Sequence, residues 1–121
     1  HTQSDIGETL QAMKDHSYHP VLRDPGTADI TAHVDFALVA QTARSEGASV
    51  LGPIEQGVWL RRIGASVREA QLCADKTPET VVTIKESVGR LIDAEGMGTL
   101  FKVIALAPRE IGSLAGFEVE R

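Results

Sequence analysis

The chain has 121 residues, of which 42% are hydrophobic and 24% are charged, and its formal net charge is -5 at pH 7. This length fits one domain or part of one, and the composition is typical of a globular protein rather than a disordered or fibrous one. The negative charge and the 12 scattered Lys and Arg residues argue against a nucleic-acid partner, because phosphate binding needs clustered basic side chains.

The pattern also argues against membrane insertion and secretion. No stretch approaches the roughly 18 apolar residues that a membrane-spanning helix needs. Residues 1–5 have neither the basic nor the apolar region of a signal peptide. The single cysteine, Cys73, cannot form an internal disulfide and indicates a reducing compartment, and we predict that it is a small core residue.

The first part of the chain has no clean hydrophobic period. Residues 9–13 fit either a short strand or a helical turn, and residues 16–20 are predicted to be a loop. Residues 24–29 are rich in turn formers and predict a surface turn.

The clearest helix start follows this turn. Asp35 can cap the first amides, and Val34 and Val39 have the spacing of a hydrophobic staple. We therefore predict a helix over residues 36–46. Gly47 then ends it, and residues 48–51 predict a strand that Gly52-Pro53 terminates.

Three further helices are predicted in the middle of the chain. The first covers residues 56–63, with Trp59 in the core and Gly64 as its stop. The second begins at residues 66–69, where serine and glutamate have the spacing of a capping box. The third is an amphipathic helix of about four turns that starts at Thr77-Pro78-Glu79, since proline and an acid suit the first turn.

The last predicted strand covers residues 100–106, an almost unbroken apolar run bounded by Pro108. Such a run is typical of a strand buried on both faces of a sheet, which needs neighbours to pair with its amides and carbonyls. Because only two strands are predicted clearly, we expect the chain to be part of a domain whose other strands lie in sequence outside it.

An alternating set of polar residues is the best candidate for chemistry. Asp29, Thr31, His33 and Asp35 would all project from one side of an extended segment. Each also has an ordinary structural explanation. Asp35 can be a helix cap, Asp29 and Thr31 can serve the turn, and His33 can simply be hydrogen-bonded.

Glu55 and Gln56 are a second candidate pair, because they follow a predicted strand and can point into a crevice at the sheet edge. The alternative is that Gln56 begins the next helix.

Gly96-Met97-Gly98 follows a helix and precedes a strand, so it predicts a helix stop rather than a phosphate loop. His16 and His19 have a spacing that could hold zinc, but no third ligand is near and Pro20 disfavours a helix there.

Four blocks of the sequence, in this order, resemble consecutive signatures of the MidA-type class I methyltransferases, which include mitochondrial complex I assembly methyltransferases acting on protein arginine. The blocks are residues 7–12 (GETLQA), 25–36 (PGTADITAHVDF), 51–56 (LGPIEQ) and 97–103 (MGTLFKV). The resemblance covers essentially the whole chain.

The resemblance implies an α/β fold, in which this chain is the C-terminal portion of a Rossmann-like sheet with inserted helices. Residues 1–121 would then be the substrate-side part of a single methyltransferase domain. The cofactor would be S-adenosylmethionine, bound mainly by an upstream half outside this chain, and the fragment alone would be inactive. The implied substrate is an arginine of a respiratory complex I subunit.

The resemblance also directs attention to acids that could orient a guanidinium. The substrate-binding candidates are Asp29, Thr31, His33, Asp35, Glu55 and Gln56. Of these, Asp35 and His33 are the candidates for catalysis, and no metal ligand is expected.

Two alternative functions remain open. One is a non-catalytic binding or complex I assembly module that contacts its partner through the four-turn helix. The other is a small-molecule methyltransferase, since a fold does not fix a substrate. A homodimer is also left open. We expect a cytoplasmic location in a bacterium and a mitochondrial matrix location in a eukaryote.

Overall fold

The computed structural model describes residues 9–118 and divides into two compact units, His1–Thr42 and Ala43–Arg121. Within the described residues there are five strands and four helices, which confirms the mixed α/β class. No helix in this part of the chain is long and apolar enough to cross a membrane.

The first unit contains a three-stranded antiparallel sheet. Its strands are β1 (Leu10–Lys14), β2 (Ser17–His19) and β3 (Asp29–Ala32), and β1 lies between the other two. The open choice for residues 9–13 is therefore resolved as a strand. Ala12, at the centre of the sheet, is only 1% exposed.

The predicted loop over residues 16–20 is wrong, because residues 17–19 form β2. A two-residue turn joins β1 to β2, and both of its residues, Asp15 and His16, have positive φ (50° and 61°). Tight hairpin turns of this kind usually carry Asn-Gly or Asp-Gly, whose small or permissive residues adopt left-handed backbone easily. This turn contains no glycine, so the usual hairpin signal is absent from the sequence.

The turn predicted over residues 24–29 is present up to the start of β3. The amide of Thr27 donates to the carbonyl of Asp24 at 3.2 Å, and the Thr27 hydroxyl donates to the same carbonyl at 2.8 Å. The chain then enters β3 at Asp29.

The predicted helix after Asp35 is confirmed as α1 (Phe36–Ser45). Oδ1 of Asp35 accepts the amide of Leu38 at 2.9 Å, which is the contact expected of a capping carboxylate. At the other end, Gly47 has a φ of 84°, and the amide of Ala48 donates to the carbonyl of Ala43 at 2.9 Å.

The second unit contains a two-stranded antiparallel sheet of β4 (Ser49–Glu55) and β5 (Lys102–Ala107). The prediction that Gly52-Pro53 ends β4 is wrong. The register shifts between Leu51 and Ile54, and pairing resumes with Ile54 opposite Val103. The irregularity accommodates a proline that has no amide to donate, and Gly52 enters it with a φ of 85°.

The predicted strand over residues 100–106 is found as β5, which starts two residues later and ends one residue later than predicted. Within residues 9–118, β5 pairs only with β4, and Leu106 remains 52% exposed. Burial on both faces is therefore not found within this part of the chain.

The three predicted helices of the second unit are α2 (Gln56–Arg62), α3 (Ala65–Cys73) and α4 (Pro78–Ile92). The hydroxyl of Thr77 accepts the amide of Thr80, which confirms the predicted cap of α4. The predicted capping box of α3 is wrong. That helix begins at Ala65, directly after Gly64 in left-handed conformation, so Ser66 already lies within the first turn.

Two residues predicted to lie in the core are both half-buried. Trp59 packs against Phe117 with ring centroids 6.5 Å apart, and its indole nitrogen is buried. Cys73 lies on α3, which contributes no buried residue. Neither residue is fully buried as predicted.

Candidate functional site

The candidate residues fall into two groups, one in each unit, and each group is described by itself. In the first unit, β3 carries Asp29 and Thr31, which are exposed, as are all four residues of this strand. The register places Asp29 opposite Met13 and Thr31 opposite Gln11 on β1. Residues directly opposite each other in a sheet share a face, so these four side chains lie on one side.

The same face continues onto β2, where Tyr18 is opposite Met13. We call the five residues that share it the Asp29 face: Gln11, Met13, Tyr18, Asp29 and Thr31. Tyr18 is 77% exposed. A carboxylate and an aromatic ring are groups that recognise a cationic side chain, one through an ion pair and the other through its π face. Tyr18 was not predicted, because its position depends on the pairing of β2 rather than on a local motif.

His33 and Asp35 follow β3 and have defined backbone and capping roles. The amide of His33 donates to the carbonyl of Thr9 at 3.3 Å, which extends the β1–β3 ladder by one residue. Asp35 accepts the amide of Leu38, so the helix-cap interpretation is confirmed. Contact of either residue with a substrate remains a prediction.

In the second unit, Glu55 and Lys102 are cross-strand partners at the ends of β4 and β5. Nζ of Lys102 donates to Oε1 of Glu55 at 3.4 Å, and it also donates to the carbonyl of Thr99. The side chain of Glu55 is 46% exposed and that of Lys102 is 24% exposed. A cation that approaches Glu55 therefore competes with an amine that is already in place.

Gln56 is the first residue of α2, as one of its two interpretations predicts. Its backbone amide donates to the carbonyl of Phe101 at 3.0 Å, and its side-chain nitrogen donates to the carbonyl of Leu91 at 2.9 Å. The side chain thus satisfies a carbonyl in the last turn of α4, where no helical amide is available. A substrate contact through its second N–H or its carbonyl oxygen stays a prediction.

The histidine pair does not form a metal site with other residues. Among residues 9–118, no group of three or more His, Cys, Asp and Glu side chains is arranged to hold a metal ion. His16 lies in the hairpin turn. Nε2 of His19 lies 3.3 Å from the carbonyl oxygen of Arg23 and 3.6 Å from the carboxylate of Asp24. His19 therefore contacts the loop that precedes β3.

The glycines of residues 96–98 do not fit a cofactor loop. A Cβ atom on Gly98 would meet the carbonyl oxygen of Ile92 and would lie 2.7 Å from the carbonyl oxygen of Asp93. The amide of Gly57 donates to the carbonyl of Gly98 at 2.9 Å. Gly98 is thus required by close backbone packing between α4 and α2, as the helix-stop interpretation predicts.

Comparison with known proteins gives the family context. Residues 1–54 match a family model described as "Putative S-adenosyl-L-methionine-dependent methyltransferase". The protein arginine methyltransferase NDUFAF7 homolog of Drosophila melanogaster is 41% identical over 102 residues, which are 84% of this chain and 23% of the relative. The human protein arginine methyltransferase NDUFAF7 is 37% identical over 105 residues, which are 85% of this chain and 23% of the relative.

The chain is thus similar to methyltransferases of this kind over most of its own length. A crystal structure from Burkholderia thailandensis, described as bound to S-adenosyl-homocysteine, matches with a TM-score of 0.77 and 32% identity, over 90% of this chain and 28% of that one. The α/β fold prediction and the S-adenosylmethionine prediction are thereby confirmed for the family. The chain spans about a quarter of the length of the curated relatives that it matches.

Proposed function

We propose that the protein to which this chain belongs transfers a methyl group from S-adenosylmethionine to an arginine of a protein substrate. The observation that supports this most is identity of 33% to 41%, over 82% to 90% of the chain, to relatives named protein arginine methyltransferases. The matched stretches of 99 to 114 residues are long enough to include the candidate residues of both units. We further propose that this chain contributes to binding of the methyl acceptor.

The chemistry defines what an acceptor site must do. A guanidino nitrogen forms a bond to the methyl carbon while the carbon–sulfur bond of the donor breaks, so S-adenosyl-homocysteine leaves and a proton is lost from the nitrogen. Arginine stays protonated in proteins, because its pKa lies far above physiological pH. An acceptor site therefore needs acids that hold the planar guanidinium and orient one nitrogen toward the methyl group.

The first unit offers acids of this kind. Asp29 is exposed on the Asp29 face, and Asp35 lies at the N-terminus of α1 with one carboxylate oxygen on the amide of Leu38. A carboxylate has two oxygens and can accept several hydrogen bonds, so a capping role leaves capacity for a guanidinium. Thr31 and His33 are proposed as hydrogen-bonding neighbours.

Glu55 and Gln56 are proposed separately as acceptor contacts in the second unit. Glu55 is the stronger candidate, because its carboxylate is half-exposed and, within residues 9–118, is bound only to the amine of Lys102 at 3.4 Å. Gln56 already donates one side-chain N–H to Leu91, so it can offer a substrate its second N–H and its carbonyl oxygen.

The finer aspects of the proposal follow the resemblance. The proposed acceptor is an arginine of a respiratory complex I subunit, and the proposed location is the mitochondrial matrix in a eukaryote and the cytoplasm in a bacterium. The name of the human relative includes the word mitochondrial, which supports the first of these locations. A homodimer is consistent with this function but is not required by it.

The test is made on the full-length protein. Isothermal titration should show binding of S-adenosylmethionine, and mass spectrometry of complex I subunits from a deletion strain should show an arginine that has lost its methyl group. If the protein does not bind the donor, the enzymatic function is rejected in favour of a non-catalytic assembly module. If it binds the donor but arginine methylation is unchanged in the deletion strain, the acceptor is a different molecule.

A further inference from the structure

The outer edge of β3 presents backbone groups that the sheet does not use. The bond from the amide of His33 to the carbonyl of Thr9 fixes which residues of β3 face β1. In an antiparallel ladder, hydrogen-bonded and non-hydrogen-bonded pairs alternate along the strand. Since His33 is hydrogen-bonded to β1, Thr31 and Asp29 are as well, and the amides and carbonyls of Ile30 and Ala32 point away from β1.

This edge is accessible within residues 9–118. The sheet order is β2-β1-β3, so β3 has a strand on one side only. All four residues of β3 are exposed, and Ile30 is 62% exposed. An edge of this kind is a template for one more strand, because main-chain hydrogen bonds are available to any extended peptide.

The side chains of β3 indicate the charge of the peptide that fits. In a strand added to this edge, the residues on one face lie beside Asp29 and Thr31, with Cβ atoms about 4.5 to 5.5 Å apart across the pair. Opposite charges directly across a ladder are favourable, and like charges are unfavourable. An acidic and a hydroxyl side chain therefore favour a basic peptide, and Tyr18 on the same face adds an exposed aromatic ring.

We propose that the outer edge of β3 binds an extended basic segment of the protein substrate by strand addition, and that Asp29 pairs with an arginine or lysine of that segment. This inference rests on the proposed function, because it supplies the recognition of a protein acceptor. Backbone groups of Ile30 and Ala32 provide the hydrogen bonds, and Asp29 provides the preference for charge.

The first experiment removes one backbone donor from the edge. In the full-length protein, Ile30→Pro deletes the outward amide of Ile30 without removing a bond to β1, and proline is tolerated where a strand amide faces outward. The control Ile30→Ala shortens the side chain and keeps the amide. The probe is a short fluorescent peptide with arginine at alternating positions. We expect its Kd to rise about three- to tenfold for Ile30→Pro and less than about twofold for Ile30→Ala.

The second experiment tests the charge preference. Asp29→Lys should weaken binding of the arginine peptide and strengthen binding of a matched peptide with glutamate at the same positions, each by about two- to fivefold. The matched comparison is between Asp29→Asn and Asp24→Asn, each of which removes one negative charge, because Asp24 lies in the loop before β3. Asparagine is compatible with the positive φ of 48° at position 24. Equal effects of the two variants would overturn the assignment to Asp29.

The third experiment needs no protein variant, so it remains decisive if Ile30→Pro does not fold. Single backbone N-methyl groups are placed at successive positions of the arginine peptide. Strand addition predicts loss of binding at every second position, because only alternate amides of an added strand face β3. Loss without this alternation, or no loss at all, overturns the inference.

These results are separable from those that test the proposed function. Peptide binding is measured without S-adenosylmethionine, and binding of the donor is measured alone. If N-methyl groups block binding at alternate positions but the protein does not bind the donor, the peptide-binding edge is supported and the enzymatic function is rejected. If Ile30→Pro methylates normally and binds the peptide with unchanged affinity, the peptide-binding edge is rejected and the enzymatic function is supported.

Discussion

Asp35 combines a structural contact with a proposed chemical one. One of its carboxylate oxygens caps α1 through the amide of Leu38. Asparagine caps a helix about as well as aspartate but carries no charge. We therefore expect Asp35→Asn to leave the melting temperature of the full-length protein nearly unchanged while it removes most of the methyl transfer.

The companion variant Asp35→Ala should lose about 1 kcal/mol of stability as well, because it removes the cap. Thermal unfolding and transfer of labelled methyl groups measure the two effects. Full activity in Asp35→Asn would show that this residue is only a helix cap.

The backbone conformation of His16 leads to a second prediction about a single residue. Its φ of 61° lies in the left-handed region, where a Cβ atom is unfavourable. His16→Gly should stabilise the protein by up to about 1 kcal/mol, since glycine relieves this conformation but loses more entropy on folding. The control His16→Ala keeps the Cβ atom and should not gain stability. Denaturant unfolding of both variants measures the difference, and equal gains would show that the imidazole itself causes the effect.

Capping residues could be predicted from the sequence, whereas pairing residues could not. Asp35 and Thr77 each accept an amide three positions away, so their roles depend on local sequence alone. Gln56 contacts Leu91, which is 35 positions away. Tyr18 joins the Asp29 face only through two strand pairings. Contacts of this length require the fold and have no local signature.

The start of α4 gives a prediction at the scale of an element. Hydrogen bonds from the backbone amide of Glu79 and from the Thr77 hydroxyl lower the pKa of the Glu79 carboxyl from its usual value of 4.5. A lowered pKa in the folded state adds stability above the unfolded-state pKa, and this stability is lost as the pH falls through the folded-state value.

Wild-type protein should therefore lose more stability than Glu79→Gln when the pH is lowered through and below 4.5. The melting temperature of both proteins, measured as a function of pH, tests this difference. Parallel curves would show that the carboxylate does not stabilise the helix.

The packing of α2 against the end of α4 gives a second element-scale prediction. A Cβ atom at Gly98 would meet the backbone of Ile92 and Asp93, which cannot move as a flexible side chain can. Gly98→Ala should therefore cost about 1 to 3 kcal/mol. Gly112 is a matched control, because a Cβ atom there meets nothing within 4 Å. Urea unfolding should leave Gly112→Ala within about 0.5 kcal/mol of the wild type, and similar losses in both variants would contradict the packing argument.

Helices were predicted better than strands for a physical reason. The helices α1, α2 and α4 have periodic apolar positions. Asp35 and Thr77 mark the starts of α1 and α4, and Gly64 marks the end of α2, so each signal lies within a few residues of its helix. β4 continues through Gly52-Pro53 because its partner β5 resumes pairing at Val103. That continuation depends on a strand some 50 positions away, so local sequence predicts a stop where the sheet contains an irregularity.

At the scale of the whole molecule, the chain corresponds to about a quarter of each curated relative. The ordered sequence blocks were sufficient to predict the family and its cofactor. The division into two compact units was not predicted, because it depends on how contacts are distributed along the folded chain.

We expect the 121-residue chain alone to show no binding of S-adenosylmethionine, whereas the full-length protein binds it. One physical reason is that Gly96 and Gly98 are packed against the backbone near the end of α4, so they are not available as a glycine-rich cofactor loop. Isothermal titration of both proteins measures the difference, with circular dichroism as the control for folding. Binding by a folded 121-residue chain would place the donor site within it.

The contact of Trp59 with the segment around Gly116 has a practical consequence. Its indole nitrogen is buried and has no hydrogen-bond partner among residues 9–118, and a Cβ atom on Gly116 would lie 2.6 Å from its ring. Trp59 is the one tryptophan among the 121 residues. Its emission spectrum is therefore an intrinsic optical reporter: detachment of the segment around Gly116 would hydrate the indole and move the fluorescence to longer wavelength, with Trp59→Phe as the spectral blank.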